Sequence, residues 1–177
     1  MTAPTRTQRL AERERALAAG LDVLEWPLDP LDETQCRLAV GELGAIARRY
    51  RQHDHRLLVE WRIASAHVRR RLAASGSARL AIRSHAALVA PVINDVVHDG
   101  QWLTCGPVLL DVGAERAWVQ VPLRFSALEA DAPALAGDWR SRLASAFTHW
   151  FAKGYRAVDY QVSSETGLGR FLLARQE

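Results

Sequence analysis

The sequence predicts an α/β domain in which a mixed sheet is flanked by helices. Three observations carry that expectation. Windows with apolar residues at helical spacing fall at 5–19, 33–50 and 135–153. Between them lie short runs rich in β-branched and aromatic residues at 21–26, 57–63, 116–122 and 155–162. The chain of 177 residues, 49% apolar and 24% charged, is long enough for one domain or two small units sharing a core. That composition excludes a disordered tail, a collagen-like rod and a disulfide-stapled peptide.

Residues 5–19 hold good helix formers, and Gly20 supplies the C-terminal stop. Leu21 to Trp26 reads as a strand ended by Pro27 and Pro30. Asp32 can cap a second helix running through Tyr50, with Leu38, Leu43, Ile46 and Ala47 on its buried side. Leu57 to Ile63 is the next strand, and a short basic helix from Ala66 to Ala74 follows. In the middle, 79–83, 88–97 and 108–112 read as strands separated by Pro, Asp-Gly and Gly-Pro turns. The strand at 116–122 precedes the long helix, on which Trp139, Leu143, Phe147, Trp150 and Phe151 share a face. Two strands, 155–162 and 170–174, close the chain around a Thr-Gly-Leu-Gly turn.

The formal charge of +3 is carried almost wholly by arginine, Lys153 being the only lysine. Acidic residues are interspersed, so no single-sign tail forms and no nucleic-acid partner is expected. The densest basic run, Arg48-Arg49-Tyr50-Arg51, reads as a solvated helix end or as an anion site. No apolar run approaches the roughly 20 residues that span a bilayer, and no signal peptide is visible, so a cytoplasmic protein with reduced Cys36 and Cys105 is expected. His53-Asp54-His55 lacks a third ligand at a recognisable spacing, and no metal is expected.

Ala18 to Trp26 is echoed by Ala152 to Tyr160: each is a helix ending in Ala-x-Gly, then a strand ending in carboxylate and aromatic. Either any helix-to-strand turn can look like this, or the chain holds two copies of one βαβ-type unit. A division at 1–75 and 76–177 follows from the second reading.

Ala16 to Trp26 followed by Asp29-Pro30-Leu31, then Leu43 to Tyr50, Arg56 to Arg62 and His67 to Leu72, resembles a group of GNAT-superfamily acetyltransferases. The Val119-Gln120-Val121-Pro122 strand, Ala127-Leu128 to Asp131, Trp139-Arg140 and Phe151 to Tyr155 extend the resemblance over most of the chain. It implies a GNAT-like mixed twisted sheet, which the repeat reading divides into two GNAT-like half-units, and an N-acyltransferase using acetyl-CoA or another acyl-CoA on a small-molecule amine. In that family a glycine-rich loop before the helix equivalent to 5–19 cradles the diphosphate on backbone N–H groups. Here only Met1 to Arg6 precede that helix, without the glycines. The resemblance places Arg6, Gln35 and Arg37 at the cofactor, although Gln35 and Arg37 stand where the family carries Asn and Tyr. An arginine cannot replace a tyrosine acid. The expectation is therefore a shortened or repurposed member, to which acetyl-CoA binds weakly or not at all. The alternative is a non-catalytic GNAT-like protein for small-ligand binding or protein interaction.

Glu25 and Glu60 lie within apolar strands, each directly before a tryptophan. Burial beside an indole would raise a carboxyl pKa and make either a catalytic base. Period-two alternation instead allows each to face solvent. Trp26, Asp29 and Trp61 are the expected substrate contacts. If the strand at 21–26 lacks its outer neighbour, the C-terminal half is expected to supply that neighbour by pseudo-twofold pairing, with a homodimer through a remaining edge as an addition.

Overall fold

The computed structural model describes residues 4–74 and 89–175. The first half runs α1 (Arg6–Ala18), β1 (Val23–Leu28), α2 (Glu33–Cys36) continued as a π-turn (Arg37–Glu42), β2 (Ile46–Arg51), β3 (Arg56–Arg62) and α3 (Ala66–Ala73). The second runs β4 (Asn94–Asp99), β5 (Trp102–Val108), β6 (Arg116–Pro122), α4 (Phe125–Asp131), α5 (Pro133–Ala152), β7 (Tyr155–Ser163) and β8 (Leu168–Arg175). Six strands form one sheet in the order β1-β3-β2-β7-β8-β6, and β4 and β5 form a separate hairpin.

The class is α/β as the sequence predicts, but every pairing of named strands is antiparallel rather than mixed. Among the described residues the one parallel contact is a single bridge between Val92 and Trp118. The cause is connectivity. β1 and β2 run in one direction with a helix between them, and β3 turns back and inserts between the two, splitting the βαβ unit. β6, α5, β7 and β8 repeat that plan. The two units meet at β2 and β7 through one residue pair, Ala47 opposite Ala157, both fully buried. Each strand bulges immediately after its alanine, between Ala47 and Arg49 and between Ala157 and Asp159. A bulge lets two successive side chains leave by one face before the alternation resumes. Tyr50 and Tyr160 are the residues at which it resumes, packing on Phe147 and Phe171 respectively.

Four sequence expectations are corrected. The helix expected over 33–50 ends at Glu42, because Gly44 adopts φ +74° and reverses the chain. Ile46 to Tyr50 then forms a strand, its apolar spacing matching a bulged strand as well as a helix turn. The strand expected at 88–97 begins at Asn94, and that expected at 108–112 is instead Trp102–Val108. Leu109 and Leu110 place carbonyls over the end of α5, where Leu109 accepts from the Trp150 indole (3.2 Å) and Leu110 accepts from Lys153 Nζ (3.2 Å). The C-terminal half does not cover β1 either, since it joins the sheet at β2. The expected strand at 79–83 lies outside the described residues.

Among the described residues β1 therefore has β3 on one side only. Ile63 N–H donates to Asp22 C=O at 3.0 Å, and the antiparallel alternation carries the backbone N–H positions of Val23, Glu25 and Pro27 to the outer edge. Pro27 thus lacks an N–H only where no ladder bond is made, which is why a proline is tolerated inside this strand. At the opposite end, the Asn94 carboxamide pairs with the backbone of Gln120 on β6, accepting from its N–H at 2.7 Å and donating to its C=O at 2.8 Å.

A single core runs through both halves. α5 lays Ala136, Trp139, Leu143, Ala146, Phe147 and Trp150 against it, and the Trp139 indole N–H donates to Leu103 C=O on β5 at 2.8 Å. On β3, Leu57, Val59 and Trp61 face this core while Glu60 and Arg62 face away. Among the described residues, Glu25 and Arg49 are exposed and Leu58, Glu60 and Arg156 half-buried, so the side of the sheet that carries Glu60 is open around β1, β3, β2 and the start of β7.

Beyond the Ala47–Ala157 pair, β7 no longer has β2 beside it. Arg71 from α3 fills the gap: Nη1 donates to Asp159 Oδ1 at 2.9 Å and to Gly41 C=O at 3.1 Å, and Nη2 to Val158 C=O at 3.4 Å. His67, one turn earlier, packs at Gly44. Burial and the charges of Arg71 and Arg70 push its pKa below the usual 6.5, against an opposing pull from Asp159. Between the folded pKa and 6.5 the unfolded chain binds the proton and the folded chain does not. Stability is therefore expected to fall as pH drops through 6.5, levelling off below the folded pKa. Urea melts of wild type and His67→Gln across pH 7.5 to 5 check this: the variant should show a flatter profile, and parallel profiles would contradict it.

Candidate functional site

The residues singled out in the sequence fall in three places. Arg6, Gln35 and Arg37 meet where the start of α1 approaches α2. There Arg6 and Arg37 both turn to Glu42, at 3.7 and 4.0 Å, and the Gln35 carboxamide donates to Pro4 C=O at 3.5 Å. The first turn of α1 is closed by a capping box. Thr5 Oγ1 accepts from Gln8 N–H at 3.3 Å, and Gln8 Oε1 accepts from Thr5 N–H at 2.7 Å. These residues do not fit a diphosphate cradle, because donors that would face the anion are committed locally and the Glu42 carboxylate stands beside them.

Asp29 lies at the end of β1, where it accepts from Leu31 N–H at 3.0 Å and faces Arg140 at 3.6 Å. It lines a cleft of about 370 Å³ with Arg124, Phe125, Glu129 and Arg140. Arg140 is held there by Glu129 (3.1 Å) and lies over the Phe125 ring. Trp26 is sandwiched between the Arg9 guanidinium, 4.0 Å from its ring centroid, and the edge of Trp61. Trp61 itself is fully buried, and its indole N–H donates to Leu43 C=O at 2.9 Å. Cys36 is buried with Sγ donating to Asp29 C=O, and burial pushes its thiol pKa well up, away from nucleophilic use.

Glu25 and Glu60 are brought together. They are direct cross-strand partners on β1 and β3, both on the open side of the sheet. A cleft of about 190 Å³ there is lined by Glu25, Arg48, Arg49, Leu58, Glu60 and Arg156. The β2 bulge explains the two consecutive arginines: Arg48 is the extra residue and Arg49 pairs with Leu58. Glu60 is fully engaged, with Arg48 Nε 3.0 Å and Arg62 Nε 2.7 Å from its two oxygens. Arg48 and Arg49 belong to the basic run noted in the sequence. Arg156 was not among the expected site residues, since nothing in the sequence places β7 against β2.

Among the described residues no group of three or more His, Cys, Asp or Glu is placed to hold a metal ion, and no helix is long and apolar enough to cross a membrane. No protein-family model matches the chain, and no curated protein or solved structure matches it.

Proposed function

We propose that the chain is a GNAT-like protein repurposed for non-catalytic binding of a small ligand, which it takes in the arginine-lined cleft on the open side of its sheet. The observation that carries this reading is the contrast between two sites. The start of α1, where the resemblance would put acyl-CoA, is self-capped and shares its arginines with Glu42. The sheet-face cleft instead gathers charged side chains from four strands, β1, β3, β2 and β7. Acyl transfer needs several convergent donors on the diphosphate, and scattered arginines give only screened attraction.

Calorimetric titration with acetyl-CoA and with free CoA tests the proposal. Neither is expected to give a saturating heat in the micromolar range at physiological salt. Low-micromolar, salt-insensitive binding of acetyl-CoA, or acetyl transfer to an amine at an ordinary enzymatic rate, overturns it in favour of an acyl-CoA N-acyltransferase.

A further inference from the structure

The charges around the sheet-face cleft are not balanced where they stand. Glu60 is neutralised by Arg48 and Arg62, but Glu25, directly opposite it, forms no ion pair among the described residues. Like charges at directly opposed strand positions are destabilising. On the other rim, Arg49 forms no ion pair among the described residues. Arg156 spends Nη1 on the carbonyl oxygens of Phe151 (3.2 Å) and Tyr155 (2.6 Å), with no carboxylate partner among the described residues. Ala47 faces Ala157 in an antiparallel pair, which brings Arg48 beside Arg156 in register, and Arg48, Arg49 and Arg156 line the same cleft. The two rims cannot neutralise each other easily. Glu25 and Arg49 belong to strands on opposite sides of β3, about 10 Å apart. Leu58 on β3 lies between them as an apolar floor, half-buried and paired with Arg49 on one side and Pro27 on the other.

From this arrangement we infer that the cleft binds a small zwitterion of the ω-amino acid type. Its ammonium meets Glu25, its carboxylate meets Arg49 and Arg156, and its methylene chain lies on Leu58. A ligand of that kind supplies each rim with the charge it lacks. A simple anion would leave Glu25 uncompensated, and a simple amine would leave the arginines so. The inference rests on the sheet face being the binding site, and it adds the chemistry of the ligand.

Calorimetry with 5-aminopentanoate, pentanoate and pentylamine at low salt tests it. The zwitterion should bind, and each singly charged analogue should bind about fivefold more weakly. Glu25→Gln should weaken 5-aminopentanoate about fivefold while leaving pentanoate unchanged, a selectivity that a folding defect would not produce. Arg49→Ala/Arg156→Ala should abolish binding of both acids, with an unaltered thermal melt confirming the fold. Equal binding of pentanoate and 5-aminopentanoate, unchanged binding by the double variant, or no binding of the zwitterion overturns the inference. If the zwitterion fails while acetyl-CoA also fails to bind, only the ligand class is lost. Binding of acetyl-CoA removes the broader reading instead.

Discussion

Replacing Arg71 by alanine is expected to destabilise the protein by about 3 kcal/mol, because it removes one partner of a largely desolvated ion pair and strands the other. Arg71 and Asp159 are each 15% exposed, so solvent screens them little. The same guanidinium also satisfies the carbonyls of Gly41 and Val158, which lie in the gap where β2 and β7 have parted. Losing it would therefore leave polar groups unpaired on both halves of the molecule. For a chain of this size the change corresponds to a fall in Tm of roughly 6–12 °C. Arg71→Lys should recover only part of the loss, since an ammonium cannot fork between a carboxylate and two carbonyls. Urea denaturation measures both variants. A change within about 0.5 kcal/mol for the alanine variant would show that the seam does not depend on this side chain.

The second large effect is expected at Gly169 on β8. A methyl group added there would overlap the Tyr160 hydroxyl. Tyr160 has little room to move: it is 4% exposed, its ring centroid is 4.7 Å from that of Phe171, and among the described residues its hydroxyl has no hydrogen-bond partner. Overpacking of this kind costs about 1–3 kcal/mol, and Gly169→Ala should fall at the upper end. In a Tyr160→Ala background the same methyl should cost much less. The double-mutant cycle is therefore expected to show a coupling above about 1 kcal/mol. An additive cycle would mean that the tyrosine yields without cost and that the close ring-on-glycine packing is not restrictive.

These two sites show where the sequence was readable and where it was not. α1, α5 and β3 are legible because their periodicity is unambiguous. Leu57, Val59 and Trp61 alternate with Leu58, Glu60 and Arg62, and the structure keeps that alternation. β2 is misread because a bulge breaks the period of two. Ala47 and Tyr50 both face the core with two residues between them, a spacing of three that suits a helix equally well. The same spacing recurs at Ala157 and Tyr160. Ala-x-x-Tyr in both halves is thus the sequence trace of the structural repeat. The echo between Ala18–Trp26 and Ala152–Tyr160 instead aligns β7 with β1, two strands that occupy different places in their units. That shift explains why internal completion was expected at β1 and occurs at β2.

The candidate site was legible to a similar extent. Glu25 and Glu60 stand out as carboxylates within strands, and the basic run around Arg48 stands out by composition. What joins them is long-range strand pairing, β1 with β3 and β2 with β7, which local patterning does not encode. Arg156 is the clearest case. It is an ordinary strand arginine until the alanine pair places it beside Arg48. Likewise, Trp61 looks like a substrate platform from its position after Glu60, yet the side-chain alternation sends it into the core.

The most direct test of the account is a map of backbone amide chemical shifts during titration with 5-aminopentanoate and, separately, with acetyl-CoA. The amino acid is expected to perturb amides at Glu25, Arg48, Arg49, Glu60 and Arg156, and acetyl-CoA to leave Thr5 to Gln8 and Gln35 to Arg37 unmoved. Saturable shifts at the start of α1 with acetyl-CoA, and none on the sheet face with the amino acid, would contradict it.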